Sequence, residues 1–480
     1  MKAISLRIIG RKIKRTNGAC KPPLTVGNRV AGKKAECLLK VLLENCEENS
    51  GKKQEVCWFL VHLILIAFMN KLIVTIAAIC LYASVSMAQI AGTPNTKQPE
   101  FVSAIVGFYN LENLFDTIHN PLINDNEFTP GSAKHYNTAI YNKKINNMAR
   151  AICQIGTEVN PDGLALLGVA EIENEDVLTD LILSDSLSGR GYQYVQFNSP
   201  DGRGIDVGLL YSPKYFKVVA KSPHHVTLPN NWPTRDILYV KGLLNGELVH
   251  ILVNHWPSRS GGSNSFDINN KENAYRNANR GRSTSVMSST NDHGGQGPNS
   301  NQRYMGDASS GSAMAIESNA EDGEEATRDL RIAAGKACRA IIDSIQATEP
   351  NAKIMVMGDL NDDPTSAGVV QGLKAKGEAA KLEASDIFNP YAEIFKKGFG
   401  TLAYNGKWNL FDQIMFSVPL LNQVQDGWFL FKPQIFYREF LITQSGPYKG
   451  APHRTWAGDK FIDGYSDHLP VYSILLKEIK

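Results

Sequence analysis

The sequence predicts an α/β fold built on mixed β-sheets, and two observations carry that expectation. Short apolar runs of strand character alternate along the chain with segments of helical periodicity. Some neighbouring runs are joined by tight turns such as Leu244-Asn-Gly-Glu247 rather than by helices. Helical crossovers favour parallel neighbours and hairpins favour antiparallel ones, so both pairings are expected.

The elements follow in order from Phe101. Ser103 to Tyr109 is strand-like, Asn142 to Ile155 has helical spacing, and the very apolar Gly163 to Ala170 reads as a buried strand. Shorter strands are expected at Tyr192 to Phe197, Val207 to Tyr211, Asp236 to Leu244 and Leu248 to Val253. A helix is expected over about Thr327 to Gln346, followed by the strand that begins at Lys353. Gln413 to Ser417, Trp428 to Ile435 and Val471 to Leu476 complete the strands. Trp428-Phe-Leu-Phe431 breaks apolar alternation and reads as buried rather than as an exposed aromatic hairpin.

The chain has 480 residues, but its N-terminal part and one interior stretch lack core-forming character. Met69 to Ala88 has a lysine close behind a methionine, an apolar run, and Ser86 and Ala88 spaced as signal peptidase prefers. It reads as a signal peptide, with residues 1–68 an upstream extension, residues 89–100 a linker and residues 101–480 the folded domain. An uncleaved membrane anchor over residues 58–85 is the competing reading, because the apolar run begins at Trp58. The signal peptide implies a secreted or periplasmic protein without a stable membrane anchor.

Between Ser260 and about Glu325, Ser, Asn, Gly and Arg replace aliphatic residues. Such a stretch buries too little apolar surface to offset its ordering entropy, so a disordered insertion is expected at about residues 260–325. Its Arg276, Arg280, Arg282 and Arg303 form either a basic arm suited to a polyanion or a solvated linker.

Residues 1–88 hold 14 of the 50 basic residues and 5 of the 48 acidic ones, leaving 36 against 43 in the remainder. That balance excludes a global basic field of the kind that drives nonspecific nucleic-acid binding. Five of the seven cysteines also lie in residues 1–88, so only Cys153 and Cys338 remain and a disulfide framework is excluded.

Polar groups at strand ends carry the chemistry. Lys353-Ile-Met-Val-Met-Gly-Asp-Leu-Asn-Asp-Asp-Pro364 is an apolar strand that ends in acids and a carboxamide. Asp359 and Asn361 are two apart and share one side of an extended chain, a placement suited to a hard cation or to phosphoryl chemistry; the plain alternative is an acidic turn closed by Pro364. Asp362 and Asp363 are expected to be turn and capping residues. Asn110 and Glu112 leave the first strand, either towards a site or as a capped turn. Glu171 ends the Leu164 strand, where a lone carboxylate suggests a metal ligand or an ion-pair partner. His255 and Arg259 in Leu252-Val-Asn-His-Trp-Pro-Ser-Arg259 suit an acid/base and a phosphate clamp, or a satisfied histidine beside Trp256. Asp467 and His468 precede the last strand, and Asp412 stands where it would hold a histidine in one tautomer.

Taken in order, Asn110, Glu171, His255, Asp359, Asn361, Asp412 and Ser466-Asp-His468 resemble the endonuclease/exonuclease/phosphatase, or deoxyribonuclease I-like, superfamily. The resemblance spans about Phe101 to Lys480 without the insertion; Asn110 to Asp116, Asn254 to Arg259 and Gly358 to Pro364 look like its secreted bacterial endonuclease branch. It implies a four-layer α/β sandwich of two packed mixed β-sheets with outer helices. It also implies metal-dependent hydrolysis of phosphodiester bonds, with Glu171 holding the ion and Asn110 and Asp467 close by. Asp359 and Asn361 would activate the attacking water. His468, oriented by Asp412, would stabilise transition-state charge, with His255 as acid or second phosphate contact. Asn110 and Arg259 would contact substrate phosphate, and Asp206 is the candidate to orient His255.

Carboxylate and carboxamide ligands suit Mg2+ or Mn2+, and the missing thiolates argue against zinc. An EF-hand fails because Pro364 replaces the required glycine, and Gly202-Arg-Gly204 lacks the Lys and Ser/Thr of a phosphate-binding glycine loop. The expected activity is that of an exported nuclease, acting as a monomer on nucleic acid. Sphingomyelinase-like or sugar-phosphate phosphatase activity on the same fold is the alternative, and a non-catalytic binding module a more distant one.

Overall fold

The computed structural model describes residues 62–63, 66–67, 69–78, 100–229, 231–259, 314–404, 406–421 and 427–479. Residues 69–78 are helical, and among the described residues no helix is long and apolar enough to cross a membrane. The expected cleavage region, nearly all of the upstream extension and most of the insertion lie outside the described residues.

Strand β1 (Glu100–Leu114) leads through helix α1 (Thr138–Ile152) to β2 (Leu164–Ile172). Helix α2 (Glu175–Leu183) and β3 (Gln193–Gln196) precede β4 (Asp206–Tyr211). A meander of β5 (Phe216–His224), β6 (Ile237–Leu244) and β7 (Glu247–His255) follows. Helix α3 (Met314–Thr348) then returns the chain to β8 (Ile354–Asp359). Short β9 (Ala375–Lys376), β10 (Ile387–Phe388) and α4 (Tyr391–Lys396) come next. The hairpin β11 (Leu402–Tyr404) and β12 (Lys407–Asn409) enters β13 (Asp412–Ser417). Strand β14 (Phe429–Ile435), the hairpin β15 (Trp456–Ala457) and β16 (Lys460–Phe461), and β17 (Val471–Ile479) close the chain.

Two large mixed sheets result, a six-stranded one in the order β14-β17-β1-β2-β4-β3 and a seven-stranded one in the order β5-β6-β7-β8-β13-β10-β9. Both principal parallel pairs, β1 with β2 and β7 with β8, are joined by helix-containing crossovers, and the β6–β7 hairpin is antiparallel as its turn requires.

Side-chain alternation builds the layers. Ala104, Val106 and Phe108 of β1 enter the core between the sheets, where they meet Met355 and Met357 of β8. Ile105 and Tyr109 point the other way, into a core shared with Met148 and Ile152 of α1. On the far side, Ile354 and Val356 pack with Ala334, Cys338 and Ile342 of α3. The molecule is therefore the expected four-layer sandwich: helices, sheet, sheet, helix.

Several elements depart from expectation: α2, α4 and the short β9 to β12, β15 and β16 are not expected from the sequence, and Phe431 of β14 is exposed rather than buried; α3 and β5 differ as well. The α3 backbone is already helical at Met314, ahead of the border expected near residue 325. Strand β5 escapes a sequence reading because it is a sheet edge whose sequence, Phe216 to His224, is largely exposed and contains Pro223.

Candidate active site

The two sheets bring their polar strand ends together. In the seven-stranded sheet His255 pairs in register with Asp359, and Asp359 with Asp412, so three adjacent strands set these residues in one row. In the other sheet Asn110 pairs with Ala170, which places Glu171 one residue further along β2. His468 enters just before β17, where Leu402 of β11 pairs with it across an isolated bridge.

Asp359 is the hub. Its Oδ2 accepts from Asn110 Nδ2 at 3.0 Å and lies 3.7 Å from His255 Nε2 and 3.8 Å from His468 Nε2. Its Oδ1 accepts the Asn361 backbone N–H at 2.9 Å. That bond closes a turn in which Asn361 has φ +48°, a left-handed conformation that Asn tolerates better than most residues. The Asn361 Nδ2 in turn donates to Trp256 O at 3.0 Å. His468 Nδ1 sits 2.7 Å from Asp412 Oδ2, with both residues buried. Glu171, at φ +60°, accepts Asn113 N–H on Oε2 at 2.9 Å, while its Oε1 stands 3.8 Å from His255 Nε2.

Burial and charge separate the two histidines. Burial alone would lower His468, but Asp412 and then Asp359 hold its imidazole well above the ordinary range. His255 is pushed well below it by burial, with Arg235, Arg203 and His468 adding to the effect. One histidine is thus cationic and the other neutral near neutral pH, the kind of split that assigns different roles to like groups. The His255 approaches to Glu171 and Asp359 are accordingly those of a neutral ring, and its buried Nδ1 has no hydrogen-bond partner among the described residues. Asp359 is raised to about 6, chiefly by burial, with His468 opposing and Asp412 adding.

Asp359, Asp412 and His468 each offer an atom within 4.8 Å of the others. A cationic His468 tied to Asp412 is a poor metal ligand. The oxygens of Glu171, Asn110 and Asp467 are the alternative holders. Among the described residues none donates to Glu171 Oε1, which leaves that oxygen to a hard divalent ion. Asn110 Oδ1, by contrast, already accepts Glu112 N–H at 2.8 Å and Asp467 Oδ2 accepts from Arg454; neighbouring acids are destabilised as anions. Glu112 is one of these, raised to about 7 by burial and by Asp467.

Two of the expected site residues have other protein partners. Arg259 is turned onto the loop that follows β8: its Nε donates to Asn361 O at 2.9 Å and its Nη2 to Asp363 Oδ2 at 3.1 Å. The Asp206 oxygens accept from Gln196 Nε2 and Ser199 N, both at 2.8 Å. Asp362 accepts Gly368 N–H at 2.8 Å and is buried in an ion pair with Arg331 at 2.5 Å.

Other residues at the site escaped the sequence reading. Buried Arg235 donates to the carbonyls of His255 and Trp256, fastening the end of β7. Lys144 of α1, fully buried, donates to Glu112 O and to Thr455 Oγ1 at 3.3 Å, under the loop that follows Asn110. Arg454 Nη2 donates to Asp467 Oδ2 at 3.0 Å, with its side chain 42% exposed beside His468. Their partners are remote in sequence, and only the Asn110-x-Glu112 spacing gave a local signal.

The sequence matches the Endonuclease/Exonuclease/phosphatase family over residues 105–294 and 317–477. No curated protein matches it. Similar solved structures include a Bacteroides thetaiotaomicron endonuclease/exonuclease/phosphatase family protein, at 12% identity and TM-score 0.40, covering 79% of this chain and 100% of that one. A Bacteroides thetaiotaomicron mannosyl-6-phosphatase is 12% identical at TM-score 0.39, covering 78% and 100%. TDP2 from D. rerio, complexed with single strand DNA product, is 11% identical at TM-score 0.39, covering 78% and 98%. With the family match spanning most of the domain and the four-layer sandwich carrying the polar cluster, the chain belongs to the endonuclease/exonuclease/phosphatase family of phosphate-ester hydrolases.

Proposed function

We propose that the chain is an exported, Mg2+- or Mn2+-dependent phosphodiesterase that hydrolyses nucleic acid as a monomeric endonuclease. The observation that carries this reading is the buried row His255, Asp359 and Asp412 with His468 closing on it. A binding module has no use for a buried cationic histidine aimed at a destabilised carboxylate.

In this reading Asp359, ionised above about pH 6, takes a proton from the attacking water. Asn361, its Nδ2 tied to Trp256 O, presents its carbonyl oxygen to orient that water. A phosphorus–oxygen bond forms to the water and the bond to the leaving oxygen breaks; the proton taken by Asp359 passes through solvent to the leaving alkoxide, giving a phosphomonoester and an alcohol. His468, with Nδ1–H held by Asp412, donates from Nε2 to the phosphoryl oxygen that gains charge. Neutral His255 provides a second contact to the phosphate or leaving oxygen. A divalent ion, held by Glu171, Asn110 and Asp467, would supply Lewis-acid neutralisation of the phosphodiester anion when bound.

A plasmid-nicking assay with Mg2+, run beside sphingomyelin and sugar phosphates, tests the substrate class. Nicking lost in Asp359→Ala supports the nuclease reading, whereas cleavage of only lipid or sugar phosphate overturns it in favour of another branch of the family. Export is tested by the N-terminus of the released protein, expected near Gln89; peptides from residues 1–68 in that product would contradict it.

A further inference from the structure

We propose that Arg259 is a positioning residue that holds Asn361 in its left-handed conformation, so that the water-orienting carboxamide is preset; this rests on the reading of Asn361 above. A non-glycine residue at φ +48° keeps that conformation only if its surroundings overdetermine it. Arg259 supplies part of that constraint, beside Asp359 Oδ1 on the Asn361 N–H and Trp256 O on its carboxamide. Its Nε donates to Asn361 O at 2.9 Å, and its Nη2 reaches Asp363 Oδ2 at 3.1 Å and Ser366 Oγ at 3.4 Å. The guanidinium lies 4.5 Å from the centre of the Phe411 ring, which fixes its plane.

The rest of the clamp is buried. Asp363 Oδ1 accepts Leu410 N–H at 2.7 Å, joining the loop to the entry of β13 two residues before Asp412. Asp362 is paired with Arg331, whose Nη1 donates to Thr327 Oγ1 at 2.8 Å. Thr327 Oγ1 also lies 3.3 Å from Arg259 O. The side chains before residue 260 and after residue 326 therefore converge on the loop that carries Asn361.

The test is a double-mutant cycle on the full chain with Mg2+ and plasmid or another hydrolysed phosphodiester, using Arg259→Ala, Asn361→Ala and both together. Displacement of a catalytic group by about 1 Å costs about 100-fold, so Arg259→Ala is expected to lower kcat by about that factor with KM little changed. The double variant should match Asn361→Ala. Guanidinium ion should restore part of the loss, and Arg259→Lys should fall between. Additive losses, or a loss confined to KM as for a phosphate contact, would overturn the proposal.

Amide hydrogen exchange gives a readout independent of turnover. In Arg259→Ala, or in Arg259→Lys if the first variant does not fold, the Asn361 N–H should exchange at least about tenfold faster while β8 stays protected. Unchanged Asn361 exchange overturns the clamp. Faster exchange in a chain that hydrolyses no phosphate ester upholds the clamp and refutes the catalytic reading instead.

Discussion

Asp359→Asn should make the metal-free protein more stable at alkaline pH while abolishing its activity. The displacement of this carboxyl from 3.8 to about 6 corresponds to a penalty of about 3 kcal/mol on holding it ionised in the fold. Because the folded value lies above the unfolded one, wild-type stability is fully present below about pH 4 and is lost as pH rises through about 6. Asparagine removes that loss. It also disturbs the bonds from Asn110 Nδ2 and Asn361 N, because one amide oxygen replaces two carboxylate oxygens, at a cost of about 1–2 kcal/mol. The difference should therefore change sign, from about 1–2 kcal/mol less stable at pH 4 to about 1–2 kcal/mol more stable at pH 8. Urea unfolding followed by tryptophan fluorescence in EDTA at the two pH values measures it. A variant that is equally destabilised at both would refute the claim that this site stores an unfavourable charge.

Asp412→Asn removes the partner that raises His468, so the rate should fall by about 10²–10⁴ and the alkaline limb of the pH–rate profile should move to lower pH. An unmoved limb would mean that another group sets it. The wild type should also lose stability relative to this variant as pH rises through the raised folded value of His468, because stability from a raised histidine is present only while it is protonated. Gly358→Ala places a methyl group 2.3 Å from Asn254 O, against backbone that cannot yield. It should cost about 1–3 kcal/mol in urea unfolding and also slow hydrolysis, since β7 and β8 carry His255 and Asp359 side by side; unchanged stability would show that the strands can part without harm.

Much of the site was legible because it lies where period-2 apolar runs stop. Leu164 to Ala170 and Ile354 to Gly358 are buried on both faces, so Glu171 and Asp359 stand out as the first acids after them. The facing of Asp412 and His468 follows once both are set at strand ends in a two-sheet sandwich. The direction of a long side chain was not legible. Arg259 lies four residues beyond His255, and nothing local tells whether its guanidinium faces a substrate or the loop behind Asn361. Asp206 shows the same limit: it begins β4 at the correct end of the sheet, yet its carboxylate turns to Gln196 and Ser199. Lys144 resembles an ordinary polar residue on an amphipathic helix until the loop after Asn110 folds over it.

His468 offers the most direct test of the proposed chemistry. With saturating Mg2+ and a phosphodiester substrate near neutral pH, His468→Ala that retains wild-type unfolding behaviour should hydrolyse at least about 100-fold more slowly. Equal rates in the two proteins would contradict the assignment of the Asp359, Asp412 and His468 cluster as the reaction centre.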